Sequence, residues 1–200
     1  MVKFFVVLFL AVLISTQAYA GDYGFETTSD GIADALTRPT QEQPMRTRSL
    51  TRSFTSRTRA IKVVRKDQGK TVEETVMVSE GPSPQSVNLK IEFDSNSYAI
   101  RPTSFRLLNE LGKALTSNRV KEKKLTLKGH TDSDGSDAYN LTLSLNRTLS
   151  VRNYLVGNFN IEADRIRVVG YGESLRLVPN TSSANKQLNR RVEVQAAPPP

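Results

Sequence analysis

The chain has 200 residues, a formal net charge of +8 and a pI near 9.8, with no cysteine and one histidine. That composition excludes disulfides, an acylated N-terminal cysteine and the usual Cys/His zinc sets, so any folded part must rest on its own apolar core. The length suffices for one domain of about 110 residues and a sizeable further segment.

The first twenty residues read as an export signal. Lys3 gives a short basic start, Phe4 to Ile14 an unbroken apolar run, and Ala18-Tyr19-Ala20 a small-x-small cleavage pattern ahead of Gly21. The run is too short for a bilayer span, which needs about 20 residues. The expected mature chain starts at Gly21 and is periplasmic.

Residues 21–86 are expected to be a basic, mostly flexible region. Positions 38–66 hold nine Lys/Arg against one acidic residue, and the tract Arg46 to Arg59 is too polar to bury much. In an exported chain this charge points to anionic wall polymers or lipid head groups. Nucleic acid is not expected, because only Phe54 interrupts the tract as a stacking residue. The short alternations Ile61 to Val64 and Thr71 to Val78 permit a hairpin around Gln68-Gly69. The repeated alternation of a membrane barrel is missing. Gly81-Pro82-Ser83-Pro84 marks a domain boundary.

From Val87 onward regular elements follow. Val87, Leu89, Ile91 and Phe93 alternate with polar residues as in a half-buried strand. Pro102-Thr103 opens a helix carrying Phe105, Leu108, Leu111 and Leu115. Leu125 to Leu127 forms a strand ending at Gly129-His130-Thr131-Asp132. A longer helix runs from about Asp137 to Gly157. Strands at Arg165 to Val169 and Arg191 to Gln195 close the series, before a proline tail at 197–200. This order predicts an α/β (α+β) βαβαββ sandwich with helices on one face of a sheet, spanning 87–196.

Several separated blocks in this stretch resemble the OmpA-like domain. They are Ile91-Glu92-Phe93-Asp94-Ser95 with Ile100-Arg101-Pro102, then Gly129-His130-Thr131-Asp132 with Tyr139-Asn140, Leu143-Ser144 and Arg147. Gly170-Tyr171-Gly172-Glu173-Ser174, Asn180 and Asn189-Arg190-Arg191-Val192-Glu193 complete the set. The resemblance covers 87–195 and implies a four-stranded mixed sheet without a membrane barrel. It also implies non-covalent, non-enzymatic binding of the peptidoglycan stem peptide at diaminopimelate, anchoring the chain or a partner complex to the cell wall. Two departures are Thr148, where a small residue is usual, and Leu175-Arg176, where proline is common.

The free end of diaminopimelate carries an ammonium and a carboxylate on one carbon, so its site needs an anion and a cation close together. By the resemblance, Asp132 takes the ammonium and Arg147 the carboxylate, for which a planar guanidinium is suited. Thr131 and Asn140 surround the peptide, while Phe93 and Asp94 line the groove. Leu143 and Val151 pack beneath the arginine stem. Asn189 and Arg190 are assigned either to ligand binding or to a solvated strand entrance, and Asp132 with Arg147 has the alternative of a structural ion pair. The glycines at 129, 170 and 172 are read as turn formers.

Rival chemistries fit less well. Ser144, His130 and Asp132 suggest a triad, but no Gly-x-Ser-x-Gly surrounds Ser144. Asp132 to Asp137 is acidic, yet Gly135 falls at the fourth place of an EF-hand loop and Leu143 where a bidentate Glu is needed. No metal and no cofactor are predicted. The basic region is left with three readings: docking to an envelope partner, contact with anionic lipid, or tethering of a wall-binding or purely structural domain. Any outer-membrane association would come through a partner.

Overall fold

The computed structural model describes residues 23–38, 58–67, 69–79 and 85–197. The expected signal peptide and cleavage site, most of the Arg/Thr/Ser tract, Gly81 to Pro84 and the last three prolines lie outside them.

Among the described residues, six strands form one sheet: β1 (Thr58–Asp67), β2 (Lys70–Ser79), β3 (Ser86–Leu89), β4 (Leu125–His130), β5 (Ile166–Gly172) and β6 (Val192–Ala196). Their order is β2-β1-β5-β4-β6-β3. Only β4 and β5 are parallel, because a crossover helix joins them as parallel pairing requires. The helices are α1 (Ser29–Thr37), α2 (Phe105–Thr116), α3 (Asp137–Phe159) and α4 (Ser183–Asn189). The mixed fold is as expected, with six strands in place of four.

The main core lies between the sheet and the helices. Leu108, Leu111 and Leu115 of α2 are fully buried, as their three-to-four spacing requires. With Leu141, Leu145, Val151 and Leu155 of α3 they meet Val87, Leu89, Leu125, Leu127, Ile166, Val168, Val192 and Val194 of the sheet. The approach of α3 is close. A Cβ on Gly129 would lie 2.3 Å from the Ser144 carbonyl oxygen, and one on Gly170 2.6 Å from that of Leu141. These two glycines thus make room for a helix, which corrects their reading as turn formers. Gly172, with φ +52°, does turn the chain.

The expectation of a mostly flexible 21–86 region is corrected over 23–38 and 58–79. Thr28 caps α1 by accepting from the Gly31 amide at 3.2 Å. Ile32, Ala33, Ala35 and Leu36 of this nine-residue helix enter the main core beside α2. Ahead of it, Phe25 pairs with Asn88 along the outer edge of β3. At the other end of the sheet, β1 and β2 form a hairpin paired from Thr58–Ser79 to Asp67–Lys70, joined to β5 at Val64–Gly170 and Arg65–Val169. Ile61 and Val63 pack there on Val169 and Tyr171, with Val76, Val78 and Leu175 beside them, on the sheet face away from the helices. The N-terminal region therefore flanks both sides of the sheet: residues 23–38 lie along β3, and the hairpin extends the sheet beyond β5, with β2 as its edge strand. A short amphipathic helix and a polar hairpin gain their stability from such packing, which local composition does not reveal.

Candidate functional site

β4 ends at His130, and the chain then turns through Thr131 and Asp132 before Ser136 caps α3. The Thr131 amide donates to the Gly172 carbonyl at 2.9 Å, fixing this loop beside the end of β5. Thr131 and Asp132 are both buried. One Asp132 oxygen, Oδ1, accepts from the Asp134 amide at 3.2 Å. The other, Oδ2, receives Arg190 Nη1 in a short ion pair. Thr131 Oγ1 is enclosed yet has no hydrogen-bond partner among the described residues.

Arg147 lies on the inward face of α3, only 9% exposed. Its Nε donates to the Ser97 carbonyl at 3.0 Å, and its guanidinium lies 5.0 Å from the centre of the Phe93 ring. The loop from Phe93 to Ile100 is built to offer that carbonyl. A bridge joins its two ends, Asp94 N donates to Ala99 O at 3.1 Å, and Asn96 adopts a left-handed φ of 50°. Burial pulls the Arg147 pKa below the ordinary arginine value, as does repulsion from Arg190, while Tyr139 and Asp132 oppose the shift. The group stays cationic.

No ion pair joins Asp132 to Arg147 among the described residues. The structural-pair alternative is thereby replaced: each charge is held by different groups, Arg147 by Ser97 and Asp132 by Arg190 and the Asp134 amide. Asn140 is buried between them and Gly172, donating from Nδ2 to the Asp132 carbonyl at 3.3 Å and to Glu173 Oε2 at 2.8 Å. Leu143 is half-buried, and Val151 is a fully buried core residue that supports α3 from below. Asp94 is exposed on the outer side of the loop, 3.7 Å from Arg101 Nε.

Asn189 needs correcting as a ligand residue. It is fully buried. Its Oδ1 accepts from the Leu177 and Val178 amides, and its Nδ2 donates to Val178 O and Asn180 Oδ1. All its polar capacity is spent on closing the loop after β5. Arg190 is different: its side chain is 40% exposed and reaches Asp132. Ser144, the serine of the discarded triad, is also enclosed; its Oγ donates to Leu141 O at 2.8 Å and accepts from Gly172 N at 3.0 Å. Ser97, Tyr139 and Glu173 were missed as contributors. Glu173 sits in a quoted block, but nothing in the sequence indicates that Ser97 supplies a carbonyl to Arg147.

Beneath the rim lies a buried polar row on the sheet face away from the helices. Lys128 Nζ is 3.0 Å from Glu193 Oε1, and His130 Nε2 is 3.4 Å from Glu193 Oε2. The His130 ring stacks on Tyr171, with centroids 5.5 Å apart. Arg191 donates to Asn88 Oδ1, Asn189 O and Leu175 O. A carboxylate, Glu193, thus balances the cations that flank it.

Residues 92–190 match the OmpA family. Outer membrane porin F of Pseudomonas aeruginosa is 35% identical over 109 residues, covering 54% of this chain and 31% of that protein. Peptidoglycan-binding protein ArfA of Mycobacterium bovis is 30% identical over 104 residues, covering 52% of this chain and 31% of that protein. The chain thus spans about a third of the length of these two relatives. Among solved structures, a MotB-like protein from Desulfovibrio vulgaris aligns with a TM-score of 0.49 at 29% identity, covering 57% of this chain and 74% of that one.

Proposed function

Residues 92–190 form an OmpA family domain, and from that premise we propose that the protein binds peptidoglycan without covalent chemistry, at the free end of a diaminopimelate residue in the stem peptide. Asp132 receives the ammonium and Arg147 the carboxylate. The observation that carries this reading is the separation of the two charges. Both are buried, no ion pair joins them among the described residues, and each is held by its own partners, Arg147 by Ser97 and Asp132 by Arg190 and the Asp134 amide. Arg147 presents its outer nitrogens to a carboxylate, since among the described residues only its Nε is engaged, by Ser97 O. The relative named as peptidoglycan-binding supports the ligand class.

The protein acts as an anchor in the periplasm, reached through the N-terminal export signal. Its role is mechanical, with Ser144 and His130 serving the fold. The basic stretch ahead of the hairpin supplies a second attachment, to an envelope partner or an anionic surface, which would raise the effective concentration of the domain at the wall.

Co-sedimentation of the full chain with insoluble diaminopimelate-type peptidoglycan tests this. The wild type should pellet at 0.5 M salt, where the Debye length is only about 4 Å and nonspecific surface attraction is screened. Asp132→Ala and Arg147→Ala should stay in the supernatant while retaining native circular dichroism. Pelleting of all three alike would assign the binding to basic charge instead.

A further inference from the structure

We infer that Arg190 is a displaceable counter-ion that makes the Asp132/Arg147 site select a zwitterionic end group over a bare ammonium; this rests on the stem-peptide reading above. The carboxylate of Asp132 is already occupied, because Arg190 Nη1 sits on Oδ2. An ammonium that takes the Oδ2 side must therefore displace a guanidinium from an almost buried acid.

The surroundings of Arg190 suit such an exchange. Its backbone is fixed on both sides. The Arg190 amide donates to Lys186 O at 3.0 Å, Asn189 is locked by four hydrogen bonds, and Arg191 is held by Asn88, Asn189 and Leu175. Only the Arg190 side chain reaches into solvent, 40% exposed. It can swing on a rigid base. Among the described residues no second carboxylate pairs with it.

Charge then decides which guest is accepted. Asp132, Arg147 and Arg190 together carry one negative and two positive charges, while the neighbouring carboxylates are engaged elsewhere, Glu173 by Asn140 and Asp134 by Lys186. A lysine end group adds a third cation and frees Arg190 beside Arg147, with which it already repels. A diaminopimelate end brings its own carboxylate, which can accept from Arg147 and from the released Arg190 together. Like charges placed together without compensation are a strong device against the wrong partner.

The test is calorimetric titration of the full chain with two peptides, L-Ala-γ-D-Glu-meso-diaminopimelate and its counterpart with L-Lys in third place. The wild type should favour the diaminopimelate peptide. In R190Q that preference should fall by about tenfold, mainly through tighter binding of the lysine peptide. R190K keeps the cation and should keep the preference. An unchanged ratio in R190Q, or equal weakening toward both peptides, would overturn this inference and leave the stem-peptide reading standing. If the wild type bound neither peptide, both would fall.

Discussion

His130 lies two residues before Asp132, at the end of the same strand, and is 2% exposed. Burial lowers its pKa to about 4, and Arg191 and Lys128 push it the same way while Glu193 opposes them. In an unfolded chain the same ring titrates near its ordinary value of about 6.5. The unfolded state thus takes up a proton first as the pH falls, and stability contributed above pH 6.5 is lost progressively down to about pH 4. The expected loss is roughly 3 kcal/mol across that window. Below it, Glu193 adds a further loss, because its carboxyl is held under the usual range by His130 and Lys128 against the effect of burial. Urea titrations from pH 7.5 to 4 should show this slope, and His130→Asn should flatten it between pH 6.5 and 4. A variant with an unchanged slope would place the acid sensitivity elsewhere.

At the scale of elements, the unexpected component is α1. Ile32 and Leu36 are fully enclosed in the main core, the Ser29 amide donates to Glu110 of α2 at 3.1 Å, and Asp34 pairs with Arg119. The helix is therefore part of the domain and not of a tether ahead of it. Leu36→Ala should cost about 2–5 kcal/mol, the range for truncating a buried leucine, as read from the shift in urea midpoint. A cost below about 0.5 kcal/mol, the usual range for surface changes, would mean that α1 is dispensable. For the same reason a chain starting at Ser86 should be less stable than the full one. The strands and the two long helices were legible because their apolar residues repeat at periods of two or three to four. α1 was not, since a nine-residue helix with four buried residues has too few turns to establish a period. The hairpin was legible only as an option, because several of its outward positions are polar and its apolar partners lie on β5, far away in sequence. Asn189 shows the converse. Its block was recognised, but that the side chain closes a loop instead of meeting a ligand depends on the amides of Leu177 and Val178, which no local pattern specifies.

Across the whole molecule, the N-terminal region brackets the domain. Residues 23–38 cover the β3 edge and α2, while the hairpin occupies the β5 edge. The hairpin moves the sheet edge from β5 to β2, and charged groups gather at the rim beyond β4 and β5. None of the described helices is long and apolar enough to cross a membrane. In the proposed reading, attachment to the wall is a property of that rim, to which the net charge of +8 adds long-range attraction that salt can screen.

The most direct test of the Asp132/Arg147 assignment is a titration of the isotopically labelled full chain with L-Ala-γ-D-Glu-meso-diaminopimelate, followed by amide NMR shifts. Saturable shifts confined to Thr131, Asp132, Ser97, Asn140 and Arg190, and absent in both Asp132→Ala and Arg147→Ala, are the predicted result. Shifts spread over the basic surface, or persisting unchanged in the two variants, would contradict it.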